Sequence, residues 1–307
     1  MLNWTSVNAN GNLSPLANNA LNQFTSVNGF VPSYDGNFNQ TTNHYGQTFA
    51  YNAANQVVGG SLQATYDGLG RCVRRTVGGV TTLFTYDNWN PIVEWDQGGN
   101  WKANNMYGAK PDEILGRSDA VNGRLIYKQD KQGNVTFLLD IWNRIIEKYT
   151  YDAFGRPTVT SWDYSTGWKP PGDRSSFGNR FMFTGREWLA EINAYDYRHR
   201  LYDPDLGRFL QTDPLGLQTE GEKLSADQKA LFSPGGVAPE AFGSSEMNLY
   251  RYCGDDPVNG SDPLGLEFID EMPGRLTDRI DKNYIGQTFA ATDVKIVEHK
   301  DGSSRYD

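Results

Sequence analysis

Short runs in which apolar and polar residues alternate occur throughout the first half of the chain. Residues 81–86 and 135–142 are examples, rich in threonine, branched aliphatic and aromatic side chains. A two-residue period predicts strands with one buried face, and this composition favours β-structure. No apolar run is long enough to cross a membrane as a helix, so we expect no membrane span. The pattern predicts an all-β fold.

A tyrosine, in most cases followed by aspartate or asparagine, recurs about every 20 residues between residues 34 and 157. The tyrosines of this repeat are Tyr34, Tyr51, Tyr66, Tyr86, Tyr107, Tyr127 and Tyr151. Each unit predicts a strand, a tight turn and a second strand, and Asp or Asn followed by Gly supplies the positive φ of the turn. We expect the tyrosine to pack on the sheet and the aspartate to cap the turn. Hairpins in series predict a curled antiparallel ribbon, in which each unit buries its apolar face against its neighbours.

The chain divides into segments of different composition. The expected segments are a lead-in over 1–33, a repeat region over 34–160, a second domain over 161–266 and a C-terminal tail over 267–307. The second domain is expected to open with a Gly-, Pro- and Ser-rich loop over 161–178. An insertion occupies about 218–246, where a short helix is predicted from Ser225.

The pentapeptide Asp-Pro-Leu-Gly-Leu occurs twice, beginning at Asp213 and at Asp262. Two carboxylates in matching local sequences are a candidate acid/base pair, because neighbouring carboxylates can hold one proton between them. One would activate a water molecule and the other would act as the acid. The alternative is that both aspartates only cap turns, since Asp-Pro commonly opens a turn. The character of the sequence changes after the second copy, between Leu266 and Glu267.

Composition and charge exclude several classes of site and partner. The net charge of −9 argues against a nucleic-acid-binding surface across the whole chain. The two cysteines and three histidines are scattered along the sequence, so we expect no disulfide framework, no metal site and no cofactor. The N-terminus lacks the basic start and apolar core of a signal peptide.

The Tyr-Asp units, the paired pentapeptides, residues 185–188 and the run over 195–209 together resemble the Rhs/YD-repeat family. That family includes the C subunits of bacterial insecticidal toxin complexes and polymorphic toxins. Residues 34–160 resemble YD repeats, and residues from about 180 to 266 resemble the Rhs-associated core domain. The resemblance implies a β-ribbon that curls into a shell or partial shell, with the core domain as a plug at one end.

The resemblance also implies a function. Members of the family enclose a variable C-terminal toxin, which the core domain releases by a single aspartyl self-cleavage just after the second pentapeptide. Here the bond would be Leu266–Glu267 and the catalytic residues Asp213 and Asp262, with a third functional residue at Arg200. For that arginine, an ion pair is the alternative. The candidate partners are Asp196, Asp203 and Asp205.

The resemblance further implies partners and a location. The C-terminal segment would be both substrate and cargo, and another protein would complete the shell or belong to the secretion apparatus. Delivery would use a specialised bacterial secretion system. The repeats are too few for a full shell, so we expect either a piece of a longer protein or a truncated gene.

Other interpretations remain open at this point. The chain could be a non-catalytic scaffold or a surface that binds carbohydrate or a partner protein, or a toxin whose activity lies in the tail. Two arginines, Arg208 and Arg251, are expected to be structural. Four aromatic residues are expected to form the core of the plug: Trp188, Tyr197, Tyr202 and Tyr250.

Overall fold

The protein is almost entirely β-structure, with its strands paired antiparallel. The computed structural model describes residues 6–9, 12–110, 112–213, 248–258, 260–263, 265–266, 269–270, 296–298 and 304–306. Within these ranges the helical elements are two short 3-10 turns, Phe183–Gly185 and Cys253–Asp255. None of the helices found there is long and apolar enough to span a bilayer. The chain forms two compact units, Met1–Ile269 and Asp270–Asp307. The predicted all-β class is confirmed.

Seven short strands come first along the chain. They are β1 Ser6–Ala9, β2 Asn12–Asn18, β3 Phe24–Val27, β4 Ser33–Tyr34, β5 Gln40–Thr42, β6 Phe49–Tyr51 and β7 Val57–Gly60. Strands β1, β2 and β3 form one antiparallel sheet, and β4–β5 and β6–β7 are separate hairpins. The lead-in over 1–33 therefore contains three paired strands.

An eleven-stranded antiparallel sheet follows. Its strands are β8 Leu62–Tyr66, β9 Cys72–Val77, β10 Val80–Asp87, β11 Asn90–Asp96, β12 Trp101–Tyr107, β13 Ile114–Asp119, β14 Gly123–Gln129, β15 Val135–Leu139, β16 Ile145–Tyr151, β17 Pro157–Asp163 and β18 Gly167–Trp168. Their spatial order is the same as their order in the sequence. This is the arrangement that hairpins in series predict.

The predicted loop over 161–178 is wrong in its first part. Strand β17 continues to Asp163 and pairs with β18 through Trp162 and Trp168. The two indole rings meet edge to face with centroids 5.3 Å apart. This cross-strand aromatic contact stabilises a hairpin that the Gly, Pro and Ser content of the segment conceals.

The remaining strands are short. They are β19 Glu187–Leu189, β20 Ala194–Asp196, β21 Leu201–Asp203, β22 Arg208–Phe209, β23 Gly260–Ser261, β24 Ile269–Asp270, β25 Ile296–Glu298 and β26 Ser304–Tyr306. Strands β19 to β22 form a four-stranded antiparallel sheet in sequence order, and β25 pairs with β26.

Nine turns in the described ranges share one arrangement of hydrogen bonds. In each, the Oδ1 atom of an Asp or Asn accepts the backbone N–H groups two and four residues later, and the third residue after it has a positive φ. The turns begin at Asn19, Asp35, Asn43, Asn52, Asp67, Asp96, Asp130, Asp140 and Asp152. The capping role expected of the repeat aspartates holds in these turns.

The expected position of the turn glycine is wrong. In the turn from Asp67, the positive φ belongs to Gly70 (+83°) and not to Gly68, the glycine directly after the aspartate. The side chain of Asp67 closes the turn by accepting the N–H groups of Leu69 and Arg71, at 2.9 and 3.0 Å. The left-handed residue is therefore needed where the chain leaves the turn, three residues after the aspartate.

The repeat tyrosines join neighbouring hairpins. The hydroxyl groups of Tyr51, Tyr66, Tyr86 and Tyr151 donate to backbone carbonyls of the preceding hairpin, over 2.7 to 3.1 Å. The strand register shifts immediately before five of the repeat tyrosines, at Tyr34, Tyr51, Tyr66, Tyr86 and Tyr107. Such bulges increase the local twist of a strand, so each of these units adds curvature to the ribbon.

The core lies between one face of the long sheet and the segment that follows it. Apolar side chains of β13 to β17 contact aromatic residues from 181–209 and Tyr252. The largest fully buried side chains include Trp188, Tyr195, Tyr197 and Tyr202. The predicted core positions Trp188, Tyr197, Tyr202 and Tyr250 are all buried. Because apolar burial stabilises both parts, the sheet and the second segment depend on each other.

Candidate functional site

Arg200 lies at the centre of the candidate site, in the turn between β20 and β21. Its backbone carbonyl accepts the N–H of Tyr197 at 2.9 Å, which closes the turn. The guanidinium carbon is 3.7 Å from the centroid of the Phe209 ring, and the side chain is 3% exposed. Stacking on an aromatic ring fixes the plane of the guanidinium and directs its donors.

The same nitrogen of Arg200 contacts both candidate aspartates. Its Nη2 atom is 3.2 Å from Oδ2 of Asp213 and 3.2 Å from Oδ2 of Asp262. The two carboxylate oxygens therefore lie within twice that distance of each other. Asp262 is 3% exposed, whereas the Asp213 side chain is 22% exposed and reaches solvent. The structure thus brings together the three residues that the sequence singled out.

The guanidinium changes the expected electrostatics of the carboxylate pair. Two bare carboxylates at close range repel each other, and a proton shared between them would relieve that repulsion. Here the positive charge of Arg200 lies between Asp213 and Asp262 and offsets it. The repulsion can therefore be relieved without a shared proton.

Backbone contacts hold the second pentapeptide against this centre. Oδ1 of Asp262 accepts the N–H of Leu266 at 2.8 Å, and the Asp262 carbonyl accepts the N–H of Gly265 at 3.2 Å. Nε of Arg200 donates to the Gly265 carbonyl. Leu266 is 3% exposed. Leu266 is therefore held in place by the buried carboxylate of Asp262, which accepts the Leu266 N–H. Glu267 lies outside the described residues.

Gly265 is required by both its conformation and its neighbours. Its φ is +68°, a region that favours glycine. A Cβ atom at this position would lie 2.7 Å from the carbonyl oxygen of Tyr197. No larger residue fits without moving the backbone that carries Arg200.

Leu249 links the first pentapeptide to Arg200. Its carbonyl oxygen accepts the backbone N–H of Asp213 at 2.9 Å and Nη1 of Arg200 at 3.3 Å. The segment over 248–252 therefore lies beside the first pentapeptide, where Phe209 N–H also donates to the Tyr250 carbonyl at 2.8 Å.

Arg198 is a site residue that the sequence analysis missed. Its Nη1 donates to the carbonyl oxygen of Pro263 at 2.6 Å, and its Nη2 is 2.7 Å from Oδ1 of Asp112. Asp112 also binds Arg186 at 2.9 Å. The available signal was the Arg-His-Arg spacing, which places a second arginine two residues before Arg200.

The alternative ion pairs expected for Arg200 are wrong in the part of the chain that the structure describes. Asp196 binds Arg75 at 3.0 Å, Asp205 lies 3.5 Å from Arg156, and Asp203 faces His44 at 3.3 Å. These aspartates have other basic partners, whereas Arg200 contacts the aspartates of the pentapeptides.

The other predicted residues fall into two groups. Arg208 donates to the Asn22 carbonyl at 2.7 Å and stacks on Phe24, and Arg251 lies 3.4 Å from Asp255. Both arginines make structural contacts, as expected. The insertion at about 218–246, with its predicted helix, lies outside the described residues.

Comparison with known proteins finds relatives in sequence and in fold. The chain is 27% identical over 258 residues to the tRNA nuclease WapA of Bacillus subtilis (strain 168), which covers 80% of this chain and 10% of that protein. It is 34% identical over 85 residues to salivary gland surface protein 1 of Aedes aegypti, 28% of this chain and 2% of that protein. No protein-family model matches the chain.

Solved structures of toxin complexes have a similar fold. The crystal structure of TcdB2-TccC3-Cdc42 aligns with a TM-score of 0.55 at 17% identity, over 84% of this chain and 12% of that one. The Tc holotoxin pore of Photorhabdus luminescens aligns with a TM-score of 0.56 at 16% identity, again over 84% and 12%. The chain is similar to Rhs-containing toxins. It spans about a tenth of the length of the relatives and structures that it matches.

Proposed function

We propose that residues 161–266 form a self-cleaving module that hydrolyses the Leu266–Glu267 bond once and releases the C-terminal segment. The observation that carries the proposal is the contact of one Arg200 nitrogen with Asp213 and Asp262, beside a segment that Asp262 itself holds through the Leu266 amide. Catalyst and substrate belong to one chain, so the reacting groups are present at high effective concentration.

The exposures of the two carboxylates favour different roles for them. Asp213 reaches solvent and is suited to activate the attacking water, while Asp262 is buried and positions Leu266. The water oxygen bonds to the carbonyl carbon of Leu266, and Asp213 takes one water proton. The carbon–nitrogen bond then breaks and that proton passes to the nitrogen of Glu267. Arg200 stabilises the negative charge that develops on the carbonyl oxygen.

Intact-mass measurement tests the proposal. Purified wild-type protein is expected to yield a fragment that begins at Glu267. Asp213→Asn is expected to slow its formation by about 10²–10⁴-fold, the usual contribution of a general base. Asp262→Asn is expected to slow it as well, because a neutral amide no longer pairs with the Arg200 guanidinium that the reaction uses. Persistent cleavage in Asp262→Asn, or a wild-type chain that stays whole with the site folded, would show that the proposal is wrong.

Asp255→Asn is the matched control. Asp255 lies in the 3-10 turn Cys253–Asp255, a few residues before the second pentapeptide, and its carboxylate lies 3.4 Å from Arg251. The variant removes one negative charge from the same segment without touching Arg200. Its cleavage rate is expected to equal that of the wild type.

A second candidate function is binding of carbohydrate or a partner protein at an exposed aromatic surface. Trp142 and Tyr164 are 69% and 64% exposed. Between them lies Arg144, whose guanidinium carbon is 4.7 Å and 5.4 Å from the two ring centroids. Exposed aromatic rings beside a charged group are typical of binding surfaces. A glycan-array screen that finds a ligand lost in Trp142→Ala, together with an intact wild-type mass, would favour this function.

We also propose that the chain acts with partners. The structural neighbours combine TccC3 with TcdB2, and the chain corresponds to about a tenth of the matched relatives. A second protein, or a further part of the same protein, would then complete the shell before delivery from a bacterial cell. The nuclease activity of the WapA relatives is not part of the proposal, because the net charge of −9 opposes binding of a polyanion.

A further inference from the structure

Three potential metal ligands converge away from the Arg200 site. His44 belongs to the turn that begins at Asn43. Asp203 is the last residue of β21, and Asp205 lies in the connection between β21 and β22. One ligand atom from each residue lies within 4.8 Å of the other two. About 160 residues of sequence separate the histidine from the aspartates, so only the fold brings them together.

Two of the ligand atoms are buried and have no hydrogen-bond partner. Nδ1 of His44 lies 3.3 Å from Oδ2 of Asp203, and neither atom takes part in a hydrogen bond. The Asp203 side chain is 2% exposed. Its other oxygen, Oδ1, accepts the N–H of Asp205 at 3.0 Å, which turns Oδ2 toward the histidine. A buried carboxylate oxygen without a partner is costly, and a bound cation would remove that cost.

The separation of the two atoms matches a shared metal ion. Zn²⁺ binds imidazole nitrogen and carboxylate oxygen at about 2.0–2.2 Å in tetrahedral geometry, so two of its ligand atoms lie about 3.3 Å apart. His44 Nδ1 and Asp203 Oδ2 have that spacing. A mixed nitrogen and oxygen set suits Zn²⁺ and related transition ions better than Ca²⁺ or Mg²⁺, which prefer oxygen ligands.

The third carboxylate is oriented by polar neighbours. Asp205 accepts a hydrogen bond from the Tyr45 hydroxyl and lies 3.5 Å from the Arg156 guanidinium. Hydrogen bonds of this kind fix the direction of ligating carboxylates. Asp205 is 34% exposed and His44 is 14% exposed, so an ion can reach the cluster from solvent. The two carboxylates and Arg156 leave one net negative charge for a cation to neutralise.

We propose that His44 Nδ1, Asp203 Oδ2 and a carboxylate oxygen of Asp205 bind one Zn²⁺-class ion. A water molecule would complete the tetrahedron. The ion would join the turn over 43–47 in the repeat region to the β21–β22 hairpin of the second segment. It is therefore a structural site, and it is independent of the cleavage at Leu266.

Zinc binding to chelator-treated protein tests the site directly. Equilibrium dialysis with Zn²⁺ alone is expected to show one high-affinity ion per chain that depends on His44. At a free Zn²⁺ concentration 100-fold above the dissociation constant, the melting temperature is expected to rise by about 5 °C. Ca²⁺ is expected to have no such effect. An equal rise with Ca²⁺, or no saturable uptake of Zn²⁺, would overturn the proposal.

Substitutions at His44 and Asp203 test whether these residues bind the zinc ion, and a substitution outside the cluster controls for the loss of a nearby charge. His44→Ala and Asp203→Asn are expected to weaken Zn²⁺ binding at least about tenfold. Asp173→Asn is the control, because Asp173 contacts the same arginine, Arg156, at 3.8 Å but lies outside the cluster. If Asp203→Asn fails to fold, His44→Ala alone decides, since this side chain reaches the surface. Unchanged affinity in His44→Ala would show that zinc binds elsewhere.

Discussion

The Nη1 atom of Arg198 donates to the carbonyl oxygen of Pro263 at 2.6 Å. Through its other terminal nitrogen the same guanidinium reaches Asp112, which lies between two strands of the long sheet. A single side chain thus ties the second pentapeptide to the repeat region. The proposed catalytic geometry therefore depends on the sheet as well as on the carboxylates.

Arg198→Met is expected to slow self-cleavage by about 10-fold to 100-fold, because a small misplacement of the reacting segment is sufficient for such a loss. The cost in stability is expected to be modest, about 1–3 kcal/mol, since Asp112 keeps its contact with Arg186 at 2.9 Å. The measurement is the rate of fragment formation, with urea unfolding in parallel. A wild-type rate in this variant would contradict a positioning role.

Gly265→Ala is expected to abolish detectable cleavage. The new Cβ atom would lie 2.7 Å from the Tyr197 carbonyl oxygen and would force apart the turn that carries Arg200 and the segment that carries Leu266. A positive φ adds about 1–2 kcal/mol of strain. Gly254→Ala is the matched control, because its φ is +61° and its nearest neighbour is a side-chain nitrogen 3.9 Å away. It carries the same strain without the clash and is expected to cleave normally.

The stability of the protein is expected to fall in mild acid through His199. Its burial, with the charges of Arg198 and Arg200 beside it, lowers its pKa from 6.5 to about 3. The unfolded chain therefore takes up a proton first as the pH decreases. The stabilising contribution of neutral His199 is complete above pH 6.5 and is lost progressively toward pH 3.

At pH 5.0 this loss amounts to about 2 kcal/mol for His199. His199→Gln is expected to reduce by that amount the difference in unfolding free energy between pH 7.5 and pH 5.0. Urea unfolding at the two pH values measures the difference. An identical decrease in the variant and the wild type would show that other groups cause the acid sensitivity.

The aspartates that cap the repeat turns are expected to differ in importance from one unit to another. Asp67→Ala removes two bonds to backbone N–H groups and the ion pair with Arg71, and is expected to destabilise the protein by about 1–2 kcal/mol. Asp87→Ala is the control. Asp87 occupies the same place after a repeat tyrosine, but it directly pairs with Asn90 in a two-residue turn. Denaturant unfolding of both variants should give a larger loss for Asp67→Ala.

Much of the β-architecture could be predicted because its causes are local. Tyrosine, a capping Asp or Asn and alternating strands recur within each unit of the repeat, and each hairpin pairs with its neighbours in the sequence. The conformation of the turns was harder to predict. The Asp-Gly pattern predicted a tight turn with its positive φ at the glycine after the aspartate, whereas the side chain of Asp67 stabilises a turn with its left-handed residue at Gly70.

The sequence predicted which residues form the candidate site, but not how they are arranged. Repetition of the pentapeptide marked Asp213 and Asp262, and resemblance added Arg200, but no local pattern indicated that one guanidinium nitrogen would contact both carboxylates. Arg198 was overlooked because its partners, Asp112 and Pro263, are distant from it in sequence.

Short-range preferences of the chain thus account for its strands, its capped turns and the order of its hairpins. Packing between distant segments decided the rest: the place of Arg200 between two aspartates, and the meeting of His44 with Asp203. Backbone conformation depends on neighbouring residues and can be deduced from them. Contacts between residues that are many tens of positions apart in the sequence depend on how the long sheet and the second segment bury their apolar faces against each other. That packing exists only in the folded protein.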